Sequence, residues 1–217
     1  MNEQHYEKLW KKVGKWENES PNFKTRTPQQ ETLDFISFLK SKKLTKGNAL
    51  DIGCGGGRHV IAFAKGNFNS YGIDFSKTAI DLAKLDAKEN KLEVNLKTGD
   101  VLKTKYKEDF FSVVHDSGCL HHMQKKHWKQ YLNIIKNTLK SDGYYKLFCF
   151  SVNTKFLTGR KITKERNWIS HKGHYSHFFT KQEIKDLFGK DFKILKTIEE
   201  KRKQGMRSFY IFYLQKR

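Results

Sequence analysis

The stretch Asn48-Ala49-Leu50-Asp51-Ile52-Gly53-Cys54-Gly55-Gly56-Gly57 decides the fold of this 217-residue chain. Its first six residues read as a short buried strand, and the glycines at 53, 55 and 57 allow a tight strand-to-helix turn that a ligand can approach closely. Residues Arg58 to Lys65 continue as a helix that Gly66 can end. Beyond it the pattern repeats. Ser70-Tyr71-Gly72-Ile73-Asp74 is a second strand, and Ser76 is placed to cap a helix over residues 77–89. VNLKTGD (94–100) and FFSVVHD (110–116) are the third and fourth strands. Residues 125–139 carry helical spacing, and Ser141-Asp142-Gly143 turns the chain into the strand YYKLFCFSV (144–152). Strands alternating with helices predict right-handed crossovers and a mainly parallel sheet covered on both faces.

The flanks differ. Thr27-Pro28-Gln29-Gln30 predicts a helix start with a capping hydroxyl and proline at the first helical position. Residues 1–26, with Tyr6, Trp10 and Trp16, read as a separate amphipathic arm. After residue 152 an irregular stretch, including a loop over Gly173–Thr180, leads to a second capping box at Thr180-Lys181-Gln182-Glu183. FKILKTIEE (192–200) and MRSFYIFYLQ (206–215) are joined by a short polar loop, so they pair as an antiparallel hairpin.

The glycine turn alone fits a dinucleotide site or merely a tight turn; without a following Lys-Ser/Thr it is no P-loop. The acids narrow the choice. Asp51, Asp74, Asp100 and Asp116 end four consecutive strands and so gather at the carboxyl edge of the sheet, where open α/β sheets bind ligands. Asp74 lies 23 residues after Asp51, where such a site places an acid for ribose hydroxyls.

DIGCGGG, GIDFS, GDV and HDSGCLHHM, in that order and spacing, resemble the motifs of class I S-adenosylmethionine-dependent methyltransferases. LKSDGYYKLFCFS is similar to the turn and fifth strand that follow them. More loosely, the chain resembles the small-molecule thiopurine- and tellurite-type enzymes. The resemblance implies a Rossmann-like α/β fold with a seven-stranded sheet ordered 3-2-1-4-5-7-6, strand 7 antiparallel. It implies one methyltransferase domain over 1–217: a helical arm or lid (1–46), a cofactor half (47–152) and an acceptor side (153–217). The cofactor would be S-adenosyl-L-methionine and the product S-adenosyl-L-homocysteine. Asp51, Gly53, Cys54, Gly55 and Gly57 would hold its methionine portion, Asp74 the ribose hydroxyls and Phe75 the adenine face. Asp100 would accept from the adenine amino group beside Val101, and Asp116 and Ser117 would face the methyl group.

The acceptor side is less determinate. His122, His121 and Asp116 are the candidate catalytic residues, with packing of a histidine under the loop as the competing role. Tyr6, Trp10, His122, His174, Tyr175 and His177 are the candidate acceptor-pocket residues; simple core packing of the arm is the alternative for Tyr6 and Trp10. His171, His174 and His177 lack an accompanying Cys or carboxylate, so no metal is assigned. Cys119 lacks the Pro-Cys context of a nucleophile and reads as a small buried apolar residue.

Composition bounds the rest. Forty-three Lys+Arg against 23 Asp+Glu give a formal charge of +20, which invites an anionic or RNA partner. The basic excess concentrates in residues 153–217, with seventeen cations against six acids. Only seven of the cations are Arg and the chain holds six Ala, a skew that an AT-rich genome also writes. Three cysteines support no disulfide framework, and no apolar run approaches a membrane span, so the expectation is a cytoplasmic protein. The expected function is methyl transfer to an O, N or S nucleophile of a small molecule. The alternatives are an RNA or tRNA methyltransferase and a non-catalytic cofactor-binding module.

Overall fold

A computed structural model describes residues 3–19, 26–155, 163–169, 175–202 and 207–217, with side chains of 14–19 and 168–169 excepted. Trp16, His171 and His174 therefore lie outside the description.

Seven strands form one sheet: β1 (Asn48–Ile52), β2 (Asn69–Asp74), β3 (Val94–Thr98), β4 (Phe111–Ser117), β5 (Leu139–Phe150), β8 (Phe192–Arg202) and β9 (Arg207–Lys216). Their order is β3-β2-β1-β4-β5-β9-β8. Strands β1 to β5 pair in parallel, and β9 runs antiparallel to both β5 and β8. This is the expected order; only the numbering moves, because two short strands intervene. Those two, β6 (Asn167–Ile169) and β7 (Tyr175–His177), make a separate antiparallel ribbon where a loop was expected.

Alternation along the central strands divides the core. Ala49 and Val113 face α2 (Gln30–Ser41) and α3 (Arg58–Lys65), packing with Phe35, Leu39 and Phe63. Leu50, Val114 and Leu147 point the other way, against Tyr131 and Ile135 of α5 (Trp128–Thr138) and Phe188 of α6 (Lys181–Phe188). Helix α4 (Lys77–Glu89) contributes Ile80 to a smaller cluster with Cys54 and Val60. At the N-terminus α1 (Glu3–Glu19) packs on α4.

Local signals were mostly used as read. The Ser76 hydroxyl accepts from Ala79 N, and Thr180 and Glu183 close a full capping box. Two starts shift. Helix α2 begins at Gln30 with Gln29 as its N-cap, which leaves Thr27 two residues short of the capping position. Residues 125–127 form a 3-10 turn before α5 begins at Trp128.

Candidate functional site

A cavity of about 200 Å³ opens at the carboxyl edge of β1, β2 and β4. Its floor is Gly53, Gly55, Ile73, Asp74 and Phe75; its far wall is Gly99, Val101, Ser117, Gly118, Cys119 and His122. Tyr6, Leu9 and Trp10 of α1 roof it. A larger groove of about 520 Å³ beside Tyr106, Lys126 and Gln130 holds none of the strand-end aspartates and is an open surface feature.

The glycine turn shows why these positions lack side chains. Gly55 has φ +52, and a Cβ there would stand 2.4 Å from Trp10 Cζ2. At Gly57, φ is +84 and a Cβ would meet the Ala83 Cβ at 2.6 Å, so this glycine sets how closely α3 approaches α4. The first role concerns the cavity and the second only packing.

The four strand-end aspartates have different duties. Asp74 lies on the cavity wall; its Oδ2 accepts from Gly55 N at 3.0 Å and its Oδ1 from Ser76 N at 2.9 Å. Burial raises its pKa, and those two N–H groups pull the other way. Asp100 turns its Oδ1 to Leu102 N at 2.9 Å and is not among the wall residues.

Asp116 departs from expectation. It is wholly buried and accepts from Gly118 N, Cys119 N, Leu120 N and the Tyr131 hydroxyl, the last at 2.5 Å. Four donors consume the carboxylate in holding the loop after β4, so it is a structural cap and not a cavity or catalytic group. Burial pushes its pKa up to about 6 against those donors.

Asp51 sits behind Gly53, 2 % exposed. Its Oδ1 is 2.7 Å from His115 Nδ1, and its Oδ2 is buried without a hydrogen-bond partner among the described residues. Burial raises Asp51 to about 7, opposed by Lys146 and Arg58.

The histidine pair also differs from the expected base. Phe150 N–H donates to His121 Nδ1 at 3.2 Å, so the His121 proton is on Nε2. That N–H donates to His122 Nε2 at 3.0 Å, which leaves His122 Nδ1–H to donate to Tyr175 O at 2.9 Å. Both His122 nitrogens are thus engaged by protein, with Ser176 Oγ a further 3.1 Å neighbour of Nδ1. His122 meets the cavity as a ring, 5.8 Å from the Tyr6 ring. The His121 ring packs tilted against Phe150, centroids 4.0 Å apart, behind the wall.

Other expected residues fall outside the cavity. His177 is buried against Trp128, with Nδ1 2.6 Å from Asn167 Oδ1 and Nε2 3.2 Å from Glu183. It fastens the β6–β7 ribbon to α6 and does not reach an acceptor. Tyr175 donates its hydroxyl to Asn167, offering the site only its backbone carbonyl. Cys54 packs inward with Val60 and Ile80. Burial drives the Cys54 and Cys119 thiols well up, which keeps Cys119 protonated and unreactive on the wall.

Two fasteners escaped the sequence. The Glu7 carboxylate on α1 accepts from the Ser76 hydroxyl at 2.6 Å and the Thr78 hydroxyl at 2.5 Å. Gln29 Oε1 accepts from Ser117 Oγ at 2.8 Å, pinning α2 beside the wall. A lone acid on an arm of unknown destination carries no sequence signal. Lys146, inside an apolar strand, did carry one.

Comparison with known proteins accords with this geometry. A family model described as a methyltransferase domain matches residues 49–143. The chain carries a class I S-adenosylmethionine-dependent methyltransferase domain. S-adenosylmethionine is the cofactor of this methyltransferase. The residues fit it: a side-chain-free glycine turn on the cavity floor, Asp74 on its wall with a lone pair to spare on each oxygen, and an Asp51 oxygen behind the turn without a hydrogen-bond partner among the described residues. The methyltransferase is 28 % identical over 214 residues to the tRNA N(3)-methylcytidine methyltransferase trm140 of Schizosaccharomyces pombe, covering 91 % of this chain and 68 % of that protein. It is 32 % identical over 123 residues to the ubiquinone biosynthesis O-methyltransferase of Pelagibacter ubique; this match spans half of each chain. In fold it is similar to the Burkholderia thailandensis 1,6-didemethyltoxoflavin-N1-methyltransferase, solved with 1,6-didemethyltoxoflavin and S-adenosylhomocysteine. That superposition has a TM-score of 0.71 at 18 % identity, covering 100 % of this chain and 91 % of that one. Among the described residues, no helix is long and apolar enough to cross a membrane, and no cluster of potential metal ligands occurs.

Proposed function

We propose that the chain transfers the methyl group of S-adenosylmethionine to an O, N or S nucleophile of a small molecule held beneath α1. The observation that carries this is the α1 side chains: Tyr6, Leu9 and Trp10 line the space above the glycine turn and narrow it to about 200 Å³, a partly covered pocket rather than a long track for a polymer. Each Asp74 oxygen holds one N–H and keeps a second lone pair, enough for the two hydroxyls of a ribose. Phe75, Ile73 and Val101 give an apolar slot for adenine, with Asp100 at its polar edge. Asp51 supplies negative charge behind the turn for the ammonium end, and Ser117 and Cys119 border the methyl group.

The bound cofactor supplies a sulfonium methyl whose leaving thioether needs no proton. The protein's task is then to align the nucleophile and exclude water. His122, spent at both nitrogens, aligns as a wall that buttresses Tyr6 and takes no proton in this arrangement. Transfer from labelled cofactor to a panel of thiols, phenols and amines tests the reading; saturable methylation of one class, unaffected by added RNA, is expected.

A second reading is favoured by the tRNA methyltransferase similarity, which runs along 91 % of this chain, and by the +20 charge. Label incorporated into transfer RNA, with RNA affinity falling steeply between about 50 and about 300 mM salt, would displace the small-molecule acceptor.

A further inference from the structure

One polar row crosses the buried interior of the sheet. Asp51 of β1 pairs in register with His115 of β4, and His115 with Lys146 of β5, so the three side chains share one face. All are buried: Asp51 at 2 %, His115 and Lys146 at 0 % exposure. Thr32 of α2, also at 0 %, closes the row from above. Its Oγ1 and the Lys146 Nζ each lie 3.1 Å from His115 Nε2, and Lys146 Nζ is 3.3 Å from Thr32 Oγ1.

The chemistry of the donors sets the proton positions. An ammonium only donates, so beside Lys146 the His115 Nε2 is an acceptor and the ring proton is on Nδ1. Nδ1–H then donates to Asp51 Oδ1 at 2.7 Å. The cation and the directed N–H both favour the ionised carboxylate. Among the described residues Oδ2 has no hydrogen-bond partner, and Asp51 lies two positions before Gly53 of the glycine turn.

We propose that Lys146, Thr32 and His115 are positioning residues that keep Asp51 ionised and oriented so that its charge reaches the methionine end of the cofactor. The proposal rests on the reading that Asp51 serves that end. Replacing such a row with apolar side chains would improve packing, since a buried ion pair is a poor source of stability. Its retention in the sheet interior is explained by service to the neighbouring turn. The charged and titratable groups that face the row are Glu31 of α2, Arg58 and His59 of α3, and Glu200 and Arg202 of β8, with Asp116 of β4 on the opposite face of the sheet. Glu31 and Glu200 are held by Arg202, and Asp116 by its own four donors, which leaves Lys146 and Arg58 as the cations acting on Asp51.

Calorimetric titration of the full chain with S-adenosylhomocysteine and with 5′-methylthioadenosine, which lacks the amino-acid portion, tests this between pH 6 and 8.5. Wild-type affinity for S-adenosylhomocysteine should rise with pH while that for methylthioadenosine stays flat. Asp51→Asn should weaken the first about tenfold or more and spare the second. Lys146→Met should move the midpoint of the rise up by about one pH unit, as loss of a neighbouring cation predicts. Thr32→Val and His115→Gln should shift it the same way, and Thr32→Val preserves shape should the Lys146 variant not fold. If Asp51→Asn is selective but the other three leave the profile unmoved, the relay is overturned and the Asp51 reading stands. If Asp51→Asn affects both ligands equally, or neither, that reading fails and the relay with it.

Discussion

At the scale of single residues, the acids at the sheet edge are distinguished by what already occupies them. Asp74 keeps lone pairs toward the cavity, so Asp74→Ala should cost cofactor affinity about 1.5–3 kcal/mol, the worth of charge-assisted hydrogen bonds, measured by titration with S-adenosylhomocysteine. Asp116 instead holds four protein donors, and Asp116→Asn should lower the melting temperature more than it weakens the cofactor. The buried pair of the sheet interior has a signature of its own. Asp51, raised to about 7, makes the folded state hold more protons than the unfolded one below that pH, so its contribution to stability falls as pH climbs toward 7. Lys146, lowered to about 8, acts in reverse: its contribution is complete above the ordinary lysine value and is lost as pH drops through 8. The melting temperature of wild type relative to Lys146→Met should therefore rise from pH 8 to pH 10. A constant difference would deny the burial argument.

At the scale of elements, α1 does most to turn a sheet edge into a chamber. It is fastened by Glu7 to the hydroxyls of Ser76 and Thr78 at the start of α4, and Tyr6 rests edge-on against Phe75 at 5.4 Å. Glu7→Gln should speed S-adenosylhomocysteine dissociation about fivefold, the equivalent of about 1 kcal/mol for one net hydrogen bond, as read by stopped-flow fluorescence. This is also the element least legible in sequence. Its amphipathic face announced burial and Tyr6 and Trp10 pointed to the pocket, yet nothing in Glu7 or Leu9 named α4 as the partner. The glycine turn and the Ser76 and Thr180 caps were readable because each depends on residues within a few positions. His122 lines the cavity as expected, but its hydrogen bond to Tyr175 crosses 53 residues that spacing does not encode, and His177 is turned from the cavity by Asn167 and Glu183.

At the scale of the whole molecule, the order β3-β2-β1-β4-β5-β9-β8 was legible almost strand by strand, because period-two burial and crossover handedness leave few alternatives. The charge was not interpretable in the same way. Under the small-molecule reading, raising salt from about 50 to about 300 mM should leave kcat/KM nearly unchanged despite the +20 total. A tenfold or larger fall would mean that the basic surface takes part in acceptor capture. The roof carries a kinetic corollary. Under the proposed reading, with Trp10 seated on Gly55 and Gly56, spent donor and methylated product leave past α1, and the contacts that hold that helix should slow their release. Rapid-quench measurements should accordingly show a burst of one equivalent followed by a slower linear phase, with turnover limited by departure and not by bond exchange.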